Sequence, residues 1–379
     1  MTLNAAIIAG TRPEAIKLLP VRAAFTQHPQ ITPTFIATGQ HKEMLASVFS
    51  AFDVAPDIAL DVMVQEDTLS NLFGRLIQAL EAQYRAARYD VVVVQGDTST
   101  ALAGALAAHY CRIPVAHVEA GLRTGDKWAP FPEESHRRMI GAVSDFHFAA
   151  TDMAAQALAR ENLTENVHVV GNTVIDALLM MKARIDAGRP AYDAEFPEFR
   201  DSARRHVLVT MHRRENFGQG MEDICTALRR IAETYPDCGV IVSTHLNPAV
   251  RDVVRARLGE TANIRLIAPQ TYDRMIYLMM NSWIILTDSG GLQEEAPSLN
   301  VPVLVMRDKT ERPEGVAAGC ARLVGTDTAR IMAEFHALWT DSAAYQAMCQ
   351  AANPYGDGTA AQQIAGHIAS SVHKGVERA

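Results

Sequence analysis

Four consecutive valines, Val91 to Val94, constrain the fold of this chain more than any other feature. A β-branched run of that length has no wet face, so a strand made from it must be covered on both sides, as at the centre of a parallel sheet flanked by helices. The surroundings agree. Short β-rich runs at 5–9, 34–38, 91–95, 115–119, 146–149 and 168–170 are separated by amphipathic stretches, the alternation of a doubly wound α/β unit. Periodicity fails between 186 and 205, where Gly188, Pro190 and Pro197 stand among charged and aromatic residues. It restarts at 207–210, 240–243, 264–267, 284–287, 303–305 and 322–324.

The expected fold class is therefore α/β, with two Rossmann-like doubly wound domains and a cleft between them. Residues 1–185 form the first domain, 186–205 a linker and 206–358 the second domain, and 359–379 read as a final helix. A chain of 379 residues with 48% hydrophobic content can fill two such cores. Its formal charge of −8 argues against a broad nucleic-acid or anionic-membrane surface while leaving room for a local phosphate pocket. No apolar run approaches the ~20 residues that span a bilayer, so a cytoplasmic location is expected. Cys111, Cys225, Cys238, Cys320 and Cys349 are widely spaced, with no CxxC pair for zinc or redox work, and read as reduced thiols.

In an open parallel sheet, ligands bind beyond the carboxyl ends of the strands, so the polar residues there are the candidates. Gly10-Thr11-Arg12-Pro13 follows the first strand and opens a helix carrying Lys17; both bases suit an anion, or are simply solvated. The absence of GxGxxG at this point weakens a nicotinamide reading. Thr287-Asp288-Ser289-Gly290-Gly291 ends a strand and starts a helix, offering N–H groups, a hydroxyl and close approach for a pyrophosphate. Glu295 lies one turn further, where a carboxylate suits ribose hydroxyls. A plain glycine turn is the alternative, and no Walker ending is present.

Asp97 and Glu119 follow two central strands, so neighbouring strand ends bring two carboxylates near one point, an arrangement suited to proton transfer. Glu133 stands beside Glu134 at a helix start, where one of the two serves only the helix dipole on the plainer reading. His117 and His136 lack the spacing of a metal site, and no metal is expected. His212-Arg213-Arg214-Glu215 follows the first strand of the second domain and suits an anionic leaving group, unless Glu215 merely pairs an arginine. Arg307, Lys309, Glu311 and Arg312 read by default as a solvated loop.

Together GTRPEAIK, GDTSTALA, HVEAGLRTGD, PFPEES, GNTVIDAL, HRRENFG, THLNP, DSGGLQEEAPSL and RDKTERPEG resemble, in order and from Gly10 to Gly358, the non-hydrolysing bacterial UDP-N-acetylglucosamine 2-epimerases. The resemblance implies a GT-B fold with its active site in the interdomain cleft, a final helix crossing back to the first domain, no cofactor, and a homodimer. It also implies interconversion of UDP-N-acetylglucosamine and UDP-N-acetylmannosamine through UDP elimination to 2-acetamidoglucal and re-addition, with the product feeding a surface polysaccharide. On matching positions, Asp97, Glu119, Glu133 and His212 are catalytic, and Arg12, Lys17, Gln270, Ser289, Gly290, Gly291, Glu295 and Arg312 bind the UDP-sugar. Met275 stands near the uracil where a relative has Phe, so apolar packing replaces ring stacking there. An effector site implied for the family matches at Gln40, Glu134, Arg213 and His245, while Glu43 and Glu66 depart from it. A hydrolysing 2-epimerase, a GT-B glycosyltransferase and a non-catalytic sugar-nucleotide sensor are the competing readings.

Overall fold

A computed structural model describes residues 2–39, 42–64, 68–200, 204–244 and 247–376. The chain divides into two compact units, Met1–Met180 with Tyr355–Ala379, and Met181–Pro354. The first holds strands β1 (Leu3–Ala9), β2 (Ile31–Ala37), β3 (Ile58–Ala59), β4 (Val91–Gln95), β5 (Val115–Ala120), β6 (Phe146–Ala149) and β7 (Val167–Val169). They lie in the order β3-β2-β1-β4-β5-β6-β7, and every pair is parallel. The valine strand β4 is thus the middle one of seven, and Val91, Val92, Val93 and Val94 are all fully buried.

Covering β4 requires an unusually apolar helix. Ser99–Tyr110 meets this with alanines and leucines around most of its surface, and Thr98 caps it by accepting from Ala101 N at 3.0 Å. The helices Leu69–Ala86 and Glu133–Val143 pack against it. Gly104 brings it close to the sheet, since a Cβ there would stand 3.0 Å from Val94 Cγ1. The edge strand β3 escaped the sequence reading because two residues are too few to show a period.

The second unit holds β8 (Arg205–Thr210), β9 (Cys238–Ser243), β10 (Ile264–Ile267), β11 (Ile284–Thr287), β12 (Val303–Val305) and β13 (Ala321–Leu323). Their order, β10-β9-β8-β11-β12-β13, repeats the first unit's topology, again entirely parallel. In each sheet the order reverses at one place, between β1 and β4 and between β8 and β11. Those are the switch points at which such sheets hold ligands.

The stretch read as a linker carries a helix, Arg189–Glu195, and a 3-10 turn, Pro197–Arg200. Tyr192 Oη donates to Asp273 Oδ2 at 3.0 Å and Arg189 Nη2 to Asn281 Oδ1 at 2.7 Å, which tie this stretch to the second unit. Elements this short show no sequence period. The final helix, Ala360–Val376, packs on the helix Arg12–Gln27 of the first unit. Asp176 holds its start, accepting from Ala361 N at 2.8 Å. No helix among the described residues is long and apolar enough to cross a membrane.

Candidate active site

In the first unit the polar groups gather beyond β1, β4 and β5. Glu119, near the end of β5, has a left-handed backbone with φ of +62°, and the β5–β6 register slips there, from Val118 opposite Phe148 to Ala120 opposite Ala149. A non-glycine residue in that region costs on the order of 1–3 kcal/mol, and such strain collects where a side chain must be re-aimed for function. Three donors converge on the carboxylate. Lys17 Nζ reaches Oε2 at 2.5 Å, Gln95 Nε2 donates to the same oxygen, and Asn172 Nδ2 approaches Oε1 at 3.5 Å.

Asp97 follows β4 across Gly96, and its segment is clamped from several sides. His117 Nε2 lies 2.8 Å from the Gly96 carbonyl and His136 Nδ1 2.8 Å from the Asp97 carbonyl, so consecutive peptide oxygens are each held by an imidazole. Arg137 Nε donates to Asp97 Oδ2 at 2.8 Å. Both histidines therefore serve the backbone. Burial drives His117 down to about 4, with its bond to Gly96 opposing and the charges of His147 and Arg123 assisting.

Before β4 the turn Gly10-Thr11 is held by Glu14, which is fully enclosed. Its Oε2 accepts from Gly10 N at 3.0 Å and Thr11 N at 2.7 Å, and its Oε1 accepts from Thr98 Oγ1 at 2.6 Å. Burial raises its carboxyl above the ordinary range despite these four donors, which include the Thr11 hydroxyl. Glu14 thereby joins the turn bearing Arg12 to the segment bearing Asp97. A Cβ on Gly10 would stand 2.1 Å from Thr100 Oγ1, so only glycine fits between these two strand ends.

The adjacent pair Glu133 and Glu134 separates by role. Glu134 is completely buried and accepts from Thr124 N at 3.0 Å, Gly125 N at 3.2 Å and Arg137 Nη1 at 3.1 Å. Burial alone would raise its carboxyl, yet these donors and the Arg137 charge bring it below the usual range. Glu133 keeps Oε2 buried with no hydrogen-bond partner among the described residues. Glu134 fixes the loop; Glu133 does not.

In the second unit, Thr210 and Thr287 lie opposite each other at the ends of β8 and β11 with hydroxyls 2.6 Å apart. Beyond them Asp288 is fully buried and joins both strand ends. Its Oδ2 accepts from His212 N at 2.9 Å, Arg213 N at 2.8 Å and Asn216 Nδ2 at 3.2 Å, and its Oδ1 stands 3.1 Å from His212 Nδ1. Burial pushes this carboxyl up, but the His212 bond and charge and the two N–H donors outweigh it and leave it lowered.

Ser289, Gly290 and Gly291 follow directly, with helix Gly290–Glu295 starting among them. A Cβ on Gly290 would lie 3.8 Å from Arg213 Nη2 and 3.9 Å from Arg312 Cζ, so two guanidinium groups flank this turn. Glu295 Oε2 lies beside Gly291, and Tyr272 Oη fixes the other oxygen at 2.9 Å. Arg312 Nε donates to Glu294, and the charged loop is not simply solvated: Arg307 is buried, and its Nε reaches Glu215 Oε1 at 2.5 Å. Gln270 bonds within its own loop, donating to Ala268 O at 2.7 Å, and Met275 is half-buried on helix Tyr272–Met280. Gln40, Glu66 and His245 lie outside the described residues, as does the side chain of Glu43.

Two doubly wound α/β units in one chain, each gathering charged groups at its switch point, place the protein in the GT-B class. The chain belongs to the UDP-N-acetylglucosamine 2-epimerase family, whose profile matches residues 23–369. It is similar to the UDP-N-acetylglucosamine 2-epimerase of Escherichia coli K12, with 48% identity over 361 residues, 94% of this chain and 96% of the relative. The UDP-GlcNAc 2-epimerase from Neisseria meningitidis, solved bound to UDP-GlcNAc, matches with a TM-score of 0.90 at 40% identity, covering 97% of this chain and 100% of that one. The S. aureus MnaA–UDP co-structure matches at 0.86 and 40% identity, over 99% and 97%.

Sequence reasoning missed Gln95, Arg137, Asn172 and Asp288, and considered His136 only as a metal ligand. Asp288 was visible within the glycine-rich turn but was read there only for its backbone. Arg137 and Asn172 are far from their partners in sequence, and no local pattern announces them.

Proposed function

We propose that this chain interconverts UDP-N-acetylglucosamine and UDP-N-acetylmannosamine without hydrolysis, supplying N-acetylmannosamine for surface polysaccharide. The observation that carries the proposal is Glu119: a carboxylate on a strained strand end, ringed by Lys17, Gln95 and Asn172, one strand from the clamped Asp97. Left-handed backbone at a bulky non-glycine residue collects where a side chain must be aimed for function, as a proton-transfer group must be.

The C2 hydrogen of the sugar neighbours no carbonyl, so its removal must be coupled to departure of a leaving group at C1. A carboxylate takes the C2 proton, the C–H pair forms the C1–C2 double bond, and the C1–O bond breaks with its electrons leaving on UDP. The product is 2-acetamidoglucal. Return of a proton to the opposite face of C2 and re-addition of UDP oxygen at C1 complete the epimerisation. No hydride moves, so the sequence needs no redox partner. Asp97, Glu119 and Glu133 supply the proton-transfer groups.

UDP as leaving group calls for positive charge and N–H donors. Arg213, Arg312, His212 and the turn Ser289-Gly290-Gly291 provide them for the diphosphate, with Arg12 as a further base. Glu295, pre-set by Tyr272, suits the two ribose hydroxyls, with Gln270 and Met275 toward the base. The 2-epimerase activity of the chain's relatives and the ligands UDP-GlcNAc and UDP in two related structures support this substrate.

Incubation with UDP-N-acetylglucosamine in D2O, followed by NMR, tests it. Deuterium at C2 of both epimers of the intact nucleotide sugar is expected. No exchange at C2 refutes 2-epimerisation, and release of free N-acetylmannosamine with UDP establishes the hydrolysing alternative.

A further inference from the structure

Asp288 is fully enclosed, whereas the side chain of His212 keeps 37% of its surface open. One side of the imidazole is thus fixed against a carboxylate, and the ring still faces a place where a ligand can stand. The carboxylate is itself over-determined, since Oδ2 accepts from His212 N, Arg213 N and Asn216 Nδ2 and so has no freedom to turn away. Asn216 is anchored in turn by donating to Met306 O at 3.1 Å. Oδ1 stands 3.1 Å from Nδ1 of His212, within ion-pair reach but off hydrogen-bond alignment, so a small turn of the ring completes the bond.

We infer that Asp288 is a positioning residue which holds the His212 ring with Nδ1 toward its carboxylate, as the Nδ1–H tautomer, so that Nε2 is presented to the diphosphate. The inference rests on the proposed role of His212 in UDP departure. The physical reason is direct. A carboxylate accepts only, so Nδ1 carries a proton where the two groups meet, and Nε2 is the nitrogen left facing away from Asp288. A ring already held where negative charge develops need not reorganise as the C1–O bond breaks, which lowers the barrier more than it tightens binding. Around this dyad, Arg213 gives its backbone N–H to Asp288 while its guanidinium and that of Arg312 flank Gly290, and Glu215 is engaged by Arg307.

The test uses the full chain with histidine ring nitrogens labelled with 15N. In the wild type, two-bond 15N–1H correlations of His212 at neutral pH are expected to show a protonated Nδ1. A bare Nδ1 with the proton on Nε2 overturns the inference without any variant. In Asp288→Asn an amide of the same size keeps an acceptor for the backbone donors but sets an NH2 against Nδ1. There His212 is expected to switch tautomer, the rate of C2 deuteration to fall roughly 10³-fold, and UDP affinity to change only a few-fold, as for other dyads disturbed in this way. A D288N enzyme with wild-type turnover, or one that loses turnover while His212 keeps its tautomer, refutes the role. If the wild type itself shows no C2 exchange, the proposed reaction fails, and the NMR comparison still decides the positioning.

Discussion

His117 makes the integrity of the Asp97 segment depend on pH in a calculable way. The ring is 1% exposed, its Nε2 lies 2.8 Å from the Gly96 carbonyl, and Nδ1 is buried without a partner among the described residues. Folding lowers it from the ordinary 6.5 to about 4, chiefly through burial. Between those values the unfolded chain binds more protons than the folded one, so stability is intact above 6.5 and declines as pH falls toward 4. A depression of about 2.5 units corresponds to about 3 kcal/mol in all, of which roughly 2 kcal/mol is lost by pH 5. His147, opposite it on β6, is lowered in the same direction, also by burial first, so the fall is steeper than one proton alone would give. Hydrogen exchange of the β4 and β5 amides at about pH 7 and about pH 5, read by mass spectrometry, measures the opening free energy of this unit. His117→Gln retains an N–H for Gly96 but cannot titrate. The wild type is expected to lose ~2 kcal/mol or more over that interval and H117Q substantially less. Equal losses in both proteins, or no loss in the wild type, would refute the reasoning.

Gly10→Ala drives a methyl into the Thr38 and Thr100 hydroxyls, 2.6 and 2.1 Å from the new Cβ, and should cost about 1–3 kcal/mol in denaturant unfolding. An unchanged midpoint would mean that the turn yields freely. Glu133→Gln should lower turnover at least ~10²-fold while stability stays within about 0.5 kcal/mol of the wild type. Glu134→Gln, which weakens the bonds to Thr124, Gly125 and Arg137, should instead cost roughly 1.5–3 kcal/mol; the reverse pattern would exchange the two roles. Lys17→Met leaves Glu119 without its cation, and turnover should fall at least ~10²-fold with the fold retained in circular dichroism. Full activity in K17M would remove Lys17 from the site.

The class of fold was legible from patterns carried by neighbouring residues. A run of four valines can only be a doubly covered strand, and regular alternation of β-rich and amphipathic segments can only build parallel sheets in one chain of this length. Strand-end chemistry was legible for the same reason: in such sheets Asp97, His212 and Ser289 follow strands at their carboxyl ends, and Glu119 sits near the end of β5. Sequence also gave the pair Glu133 and Glu134 without saying which did what. Only burial and donors separate them, with Glu134 enclosed by two backbone N–H groups and a guanidinium.

Tertiary structure decided whatever depends on contacts between residues distant along the chain. The slipped register that turns Glu119 into a left-handed conformation arises from pairing with β6, and its ring of donors comes from a helix, a neighbouring strand and a loop. His117 and His136, plausible ligands by type alone, became backbone clamps because the nearest acceptors were the carbonyls of Gly96 and Asp97. Asp288 gained its grip on His212 only when β8 and β11, 75 or so residues apart in the chain, came to lie side by side. Sequence determined which chemical groups stand at the ends of the strands, because periodicity is local. The protonation state and aim of each group came from the fold, because these depend on burial and on partners that no local pattern contains.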